Sequence, residues 1–264
     1  MFGIPLHYLT LQNTYRSAHT QPSWLARQAP TLIFYAKMFY IVWKSNRLVQ
    51  KGLYSDEAWV QSSIETIKAL ESVGVLFEIT NIDFHRNLER PCVFVGNHMS
   101  ILETFVLPCL IQPYRKLTFV VKESLMTYPL FGPILRTRDP IVVGRVNPRE
   151  DLKIVLEEGQ KCLNQNVSVV IFPQTTRSPL FDSKQFNTLG VKLAKRANVP
   201  VIPFALKTDA WGLGRKLKDF GKISPTKPVR ICFENPMHIK GSGKEEHNAI
   251  IEFIMGKLNA WRRE

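Results

Sequence analysis

From about residue 55 onward, short apolar runs alternate with segments whose apolar residues recur every three or four positions. The runs at 75–79, 91–95, 117–121, 140–143, 168–172, 200–206 and 229–233 have the length and composition of buried strands. Between them, Val60, Ile64, Ile67 and Leu70 fall on one helical face, after a start at Ser55-Asp56-Glu57 and before a stop at Gly74. Leu152, Val155, Leu156 and Leu163 form a second such face. Phe186, Leu189, Leu193 and Ala197 form a third, and Ile250, Ile254, Leu258 and Trp261 mark a terminal helix. A strand that follows a helix can rejoin the same sheet in parallel, so this alternation predicts an α/β fold with a mainly parallel central sheet flanked by helices. Its expected extent is 74–264.

Residues 1–73 have a different character and are expected to form a basic, apolar helical segment. Positions 1–54 hold six Arg or Lys and no acidic residue, together with several aromatics. The apolar stretch 31–43 is too short to span a bilayer and is interrupted by Lys37. Three readings fit it: a helix lying in the plane of an anionic membrane interface, a buried helix with basic flanks, or an acid-poor organellar transit peptide. The bulky Phe-Tyr-Trp content suits the third least. The expectation is a peripheral or monotopic protein on the cytoplasmic face of a membrane.

The 264-residue chain carries 35 Lys or Arg against 22 Asp or Glu, a net charge of +13. That charge favours anionic partners: lipid headgroups, phosphorylated substrates or nucleic acid. No basic recognition helix and no RNP-like aromatic strand accompany it, so specific nucleic-acid binding is not expected. Apolar residues make up 45% of the chain, enough for a substantial core without staples. Cys92, Cys109, Cys162 and Cys232 form no CxxC pair and read as reduced core residues. The six histidines supply no zinc-ligand cluster, and no metal is expected.

Two segments that follow apolar runs carry candidate chemistry. In Asn97-His98-Met99-Ser100-Ile101-Leu102-Glu103, the imidazole can accept a proton if the carboxylate fixes its tautomer. Five fully helical positions would set the two about 140° apart, so the pairing needs His98 in a loop and Glu103 in the first turn of a helix. The same residues contain Ser-x-x-Glu, a capping box, and Glu103 can equally hold the helix start. In Phe172-Pro173-Gln174-Thr175-Thr176-Arg177-Ser178, Arg177 offers a planar fork for a phosphate or carboxylate, and Thr175 and Thr176 offer hydroxyls. An ordinary solvated turn with a surface arginine fits that stretch too.

Taken together and in order, these segments closely resemble the glycerolipid and lysophospholipid acyltransferase superfamily, the 1-acylglycerol-3-phosphate O-acyltransferase type. Its members carry Asn-His-x4-Asp and Phe-Pro-Glu-Gly-Thr-Arg-Ser. The resemblance includes Phe131-Gly132-Pro133-Ile134 with Ile141-Val142-Val143-Gly144-Arg145, the turn around Lys122, and Val199-Pro200-Val201-Ile202-Pro203. It runs from about residue 90 to 206. It implies transfer of a fatty acyl group from acyl-CoA or acyl carrier protein, as donor substrate, to a hydroxyl of a lysophospholipid or related lipid. His98 is then the general base and Glu103 its orienter, with no resident cofactor. Arg145 and Arg177, assisted by Lys122, face the acceptor's anionic headgroup in a pocket shaped by Gln174, Thr175 and Thr176.

Two positions depart from the family pattern. Glu103 stands in place of aspartate, and Gln174-Thr175 in place of Glu-Gly. The first lengthens the carboxylate arm by one methylene. The second exchanges a charge for an amide and a glycine for a β-branched residue, which leaves the acceptor headgroup open. A non-catalytic lipid-binding protein on the same fold is the alternative these departures motivate. Cys92 or Cys109 as a nucleophile is a further reading, set against core packing for both.

Overall fold

In a computed structural model of the chain, residues 13–18, 21–85, 88–174, 176–215 and 217–263 are described. The elements run in the order β1 (Thr14–Arg16), α1 (Trp24–Gln28), α2 (Pro30–Gln50), α3 (Asp56–Glu71), β2 (Phe77–Thr80), β3 (Val93–Gly96), α4 (Leu102–Ile111) and β4 (Leu117–Lys122). Then follow α5 (Phe131–Arg136), β5 (Ile141–Val143), α6 (Pro148–Asn164), β6 (Ser168–Ile171), α7 (Leu189–Ala197), β7 (Val201–Lys207), β8 (Val229–Phe233) and α8 (Lys244–Arg263). Each of the seven apolar runs expected as a strand is one. Ser55 caps α3 as its sequence implies, its side chain accepting the Ala58 N–H. Gly74, at φ +94°, then turns the chain away from the helix. β1 had no alternating pattern of its own. Its three residues are extended because they pair antiparallel with β2.

The eight strands form one sheet in the order β1-β2-β8-β7-β3-β6-β4-β5. The block β7-β3-β6-β4-β5 is parallel throughout. β8 pairs antiparallel with β7 and parallel with β2, so the antiparallel pairings are confined to one side of the sheet. One hydrophobic cluster joins α2, α3 and α4 to one face through Phe34, Ile64, Leu70, Leu102, Phe94 and Phe204. The other joins α6, α7 and α8 to the opposite face through Val155, Leu193, Ile254 and Val95. The segments on either side of residue 73 thus share one core.

This topology locates a crevice. The adjacent parallel strands β3 and β6 send their following helices to opposite faces, α4 to one and α7 to the other. At such a reversal the loops diverge and leave an opening at the carboxyl ends of the strands. The carboxyl ends of β7, β3, β6, β4 and β5 lie side by side on that edge. At the end of β3, Gly96 is required: a Cβ there would come within 2.1 Å of the Phe204 ring.

Candidate active site

β3 is continued past its end by a side chain. The buried Asn97 amide donates to Leu206 C=O at 2.8 Å and accepts the Leu206 N–H at 2.8 Å, copying one more rung of the β3–β7 ladder. The backbone is then held through His98. Its N–H donates to Gln174 Oε1 at 2.7 Å, and its C=O accepts from Ser178 N–H at 2.9 Å. The two segments singled out in the sequence are therefore bound directly to each other.

The His98 ring stacks on Phe172, with centroids 4.2 Å apart and planes 15° from parallel. Its Nδ1–H donates to Glu103 Oε2 at 2.8 Å. Glu103 is fully buried in the first turn of α4. Its other oxygen, Oε1, accepts from Met99 N–H at 3.0 Å, from Ser100 N–H at 2.8 Å and from the Thr208 hydroxyl. Four donors converge on one carboxylate, which offsets the cost of burying it. Ser100 Oγ in turn accepts the Leu102 N–H at 3.1 Å. The expected Ser-x-x-Glu box is therefore only half made, since Ser100 Oγ does not take the Glu103 N–H, but the carboxylate that pairs with His98 also ties down the backbone entering α4. The glutamate reaches that backbone with one oxygen and the histidine with the other. An imidazole held in this way at Nδ1 has Nε2 left to accept a proton.

A cavity of about 680 Å³ opens beside His98. Its polar corner holds Lys122 at the end of β4, Arg145 just after β5, Arg177 after β6, and Lys218 and Asp219 from the connection between β7 and β8. Its other arm is apolar, walled by Ile41 and Val42 of α2, Trp59 of α3, Phe105 of α4, Phe119 of β4 and Ile134 of α5. Arg138 also lines it, but its guanidinium donates to Asp56 Oδ1 at 2.8 Å, to Tyr54 C=O at 2.9 Å and to Thr137 Oγ1 at 3.0 Å. It belongs to the wall.

Arg145 has φ +60°, a left-handed conformation rarely adopted by residues with a Cβ. Asp151 in the first turn of α6 holds that turn, its Oδ1 accepting the N–H groups of Gly144 at 3.1 Å and Arg145 at 3.3 Å. Burial holds the Arg145 guanidinium below its usual range, and nearby Arg177 pushes the same way against the opposing pull of Asp151. Arg145 and Arg177 thus lie close enough to repel each other, and Arg177 is also ion-paired with Asp219; such a pair of guanidiniums has the chemistry to receive an anion.

The structure thus brings His98, Glu103, Lys122, Arg145 and Arg177 to one edge. Gln174 is buried and supports the His98 backbone; it does not line the cavity. Thr176 is exposed outside it. Thr175 lies outside the described residues. The Gln174 contact uses its oxygen as an acceptor, a role that glutamine and glutamate share. Thr208 and Asp219 escaped the sequence reading because each sits in a polar stretch with no periodicity. Cys92 and Cys109 are buried, and burial pushes both thiols up to about 12, so neither supplies a thiolate near neutral pH.

A family model described as Acyltransferase matches residues 77–207. The 1-acyl-sn-glycerol-3-phosphate acyltransferase of Pseudomonas aeruginosa is 31% identical over 192 residues, covering 72% of this chain and 69% of that one. The human 1-acyl-sn-glycerol-3-phosphate acyltransferase beta is 30% identical over 149 residues, covering 56% of this chain and 52% of its own length. In fold, the chain is similar to the crystal structure of the 1-acyl-sn-glycerophosphate acyltransferase PlsC from Thermotoga maritima. The TM-score is 0.68 at 18% identity, over 91% of this chain and 98% of the other. The shared sequence spans more than two thirds of both this chain and the Pseudomonas relative, and the family model takes in His98, Glu103, Arg145 and Arg177, so this chain belongs to the acyltransferase family.

Proposed function

We propose that this acyltransferase moves a fatty acyl group from acyl-CoA or acyl carrier protein to a hydroxyl of a lysophospholipid, in the manner of the 1-acyl-sn-glycerol-3-phosphate acyltransferases to which it is similar. The observation that carries this reading is the 2.8 Å bond from His98 Nδ1 to Glu103 Oε2, beside a cavity with a cationic corner and an apolar arm. His98 Nε2 takes the proton of the acceptor hydroxyl as its oxygen attacks the thioester carbonyl carbon. A C–O bond forms, the C–S bond breaks, and the leaving thiolate recovers the proton from the imidazolium. Glu103 orients the ring and stabilises its charged form, and no acyl-enzyme arises. Arg145 and Arg177, with Lys122, receive the acceptor's anionic headgroup, while the apolar arm holds the acyl chain.

The acceptor is delivered from an anionic membrane surface on the cytoplasmic side. α2 supports this. One of its faces is buried through Phe34, Met38 and Ile41, while Leu32, Phe39, Tyr40 and Trp43 on the other are exposed. Trp24 and Leu25 of α1 are exposed as well, and the Arg47 guanidinium lies 4.8 Å over the Trp43 ring. Aromatics with interleaved cations suit a headgroup interface. Among the described residues, no helix is long and apolar enough to cross a membrane.

The test is thioester consumption by the purified full chain with a panel of lysolipids in anionic vesicles. Transfer to a phosphate-bearing lysolipid is expected, with His98→Ala lowering kcat by about 10²–10⁴-fold. Vesicle binding without transfer to any acceptor, or an unchanged kcat in His98→Ala, overturns the reading.

A further inference from the structure

We propose that Asp219 is a specificity-determining residue: an internal carboxylate that occupies Arg177 until a phosphomonoester headgroup takes its place. This rests on the acceptor assignment above and adds to it the charge that the headgroup must carry. Asp219 lies in the connection between β7 and β8. It lines the cationic corner, is nearly buried, and forms an ion pair with the Arg177 guanidinium.

The surrounding contacts separate a placeholder from a structural bridge. Asp219 is held in place by its backbone. Trp211 Nε1–H donates to Asp219 C=O at 3.2 Å and to Tyr35 Oη at 3.0 Å, and the Tyr35 hydroxyl donates to Gly221 C=O at 2.7 Å. The connection is closed again by Gly212 N–H to Lys222 C=O at 3.0 Å and Gly214 N–H to Lys218 C=O at 3.2 Å. The carboxylate is not needed to secure any of this. Its Oδ1 matches Arg177 in charge yet accepts no aligned hydrogen bond among the described residues. The Arg138–Asp56 pair in the same cavity shows what a bridge built for stability looks like here: an aligned contact at 2.8 Å, with further donors of the same guanidinium satisfied by Tyr54 C=O and Thr137 Oγ1.

A guanidinium presents five donors in a fork that fits two oxygens of one phosphate. A single off-axis carboxylate leaves most of that fork unused and is a poor competitor for it. Among the described lining residues, Lys122, Arg145, Arg177 and Lys218 accompany the carboxylate of Asp219, with Asp151 behind Arg145. A phosphomonoester, with nearly two negative charges, outcompetes Asp219 for Arg177. A headgroup with a single negative charge displaces Asp219 less well than a phosphomonoester does, which is discrimination by a built-in competitor; a neutral headgroup leaves the internal pair intact.

The experiment compares the full chain with Asp219→Asn, Asp219→Glu and Tyr35→Phe in mixed vesicles, using lysophosphatidic acid as acceptor, with inorganic phosphate titrated separately by calorimetry. Asp219→Asn is expected to lower KM for lysophosphatidic acid about tenfold and to tighten inorganic phosphate binding about tenfold. The change in KM is expected to exceed any change in kcat. Asp219→Glu restores the carboxylate and returns KM toward the wild-type value. If Asp219→Asn does not fold, Tyr35→Phe loosens the same tether and is expected to lower KM by about threefold. A KM that rises or stays level in the variant that folds overturns the proposal, because a bridge that merely positions Arg177 gives that result. If the wild-type chain acylates no phosphate-bearing lysolipid, the acceptor assignment fails, and the inorganic phosphate arm still decides the role of Asp219. Tighter binding in Asp219→Asn supports it, and equal or weaker binding overturns it.

Discussion

The loops after β3 and β6 leave adjacent strands at the same edge, yet they are held in different ways. After β3, nearly every polar atom has a fixed partner: Asn97 with Leu206, His98 with Gln174 and Ser178, Glu103 with four donors. Past β6 the chain turns outward, and Arg177 joins Arg145, Lys122 and Lys218 around an open corner. The first region has the stiffness that a proton transfer needs, since its geometry must survive each turnover. The second sets Arg145 against Arg177 beside a cavity, with Arg177 paired to Asp219, and an arriving anion would relieve that repulsion.

Glu103→Gln strikes the stiff region hardest. A glutamine cannot accept from all four donors, because one end of its amide is itself a donor. We expect kcat to fall by about 10²–10⁴-fold and stability by about 1–3 kcal/mol, read from initial rates and urea midpoints. A loss of rate with no loss of stability would separate the His98 contact from the backbone contacts of Glu103.

In the open region the cost moves to binding. Arg145→Gln removes a charged donor and is expected to raise KM for a phosphate-bearing acceptor by roughly 10- to 100-fold, with the melting temperature kept. Steady-state kinetics on lysophosphatidic acid checks this. An effect confined to kcat would place Arg145 with the dyad and erase the contrast.

Gln174 is the seam between the two regions, and its variants sharpen the boundary. Gln174→Ala leaves the His98 N–H without its acceptor and should cost about 1–3 kcal/mol, measured by urea unfolding. Gln174→Glu keeps an acceptor at the same reach and should cost less. If the alanine and glutamate variants unfold alike, the 2.7 Å bond contributes little.

A pH series probes the buried groups beneath both regions. Burial raises the thiols of Cys92 and Cys109 from 9.0, and the Tyr35 hydroxyl from 10.0, all to about 12. Between pH 9 and 12 the unfolded chain releases protons that the folded chain keeps. Their contribution to stability is therefore complete below pH 9 and is lost as the pH rises toward 12. Urea midpoints at pH 7, 8 and 10.5 should be level between the first two and then fall.

Much of this was legible in the residue order because strands, helices and motif loops are local features. The runs at 93–96 and 168–171 are apolar enough to be buried strands wherever they lie, and His98 and Glu103 are close enough in sequence for the helix start to join them. The role of Gln174 was not legible. Read as part of the acceptor pocket, it holds the His98 backbone, a contact spanning 76 positions. Thr208 reaches Glu103 across 105 positions. No periodicity marks either one. α2 showed both of the faces that its sequence allowed, one buried in the core and one exposed, because a helix has room for an apolar stripe on each side.

By itself, the sequence determined an α/β chain with a His–Glu pair after one strand and an arginine after another, since hydrophobic period and short spacing are properties of neighbours. Only the tertiary structure decided that β3 and β6 lie side by side, that their helices leave on opposite faces, and that Asp219 meets Arg177. Those are pairings between distant segments. They are fixed by the burial of two sheet faces at once and by backbone groups that must find partners, and no local pattern encodes them.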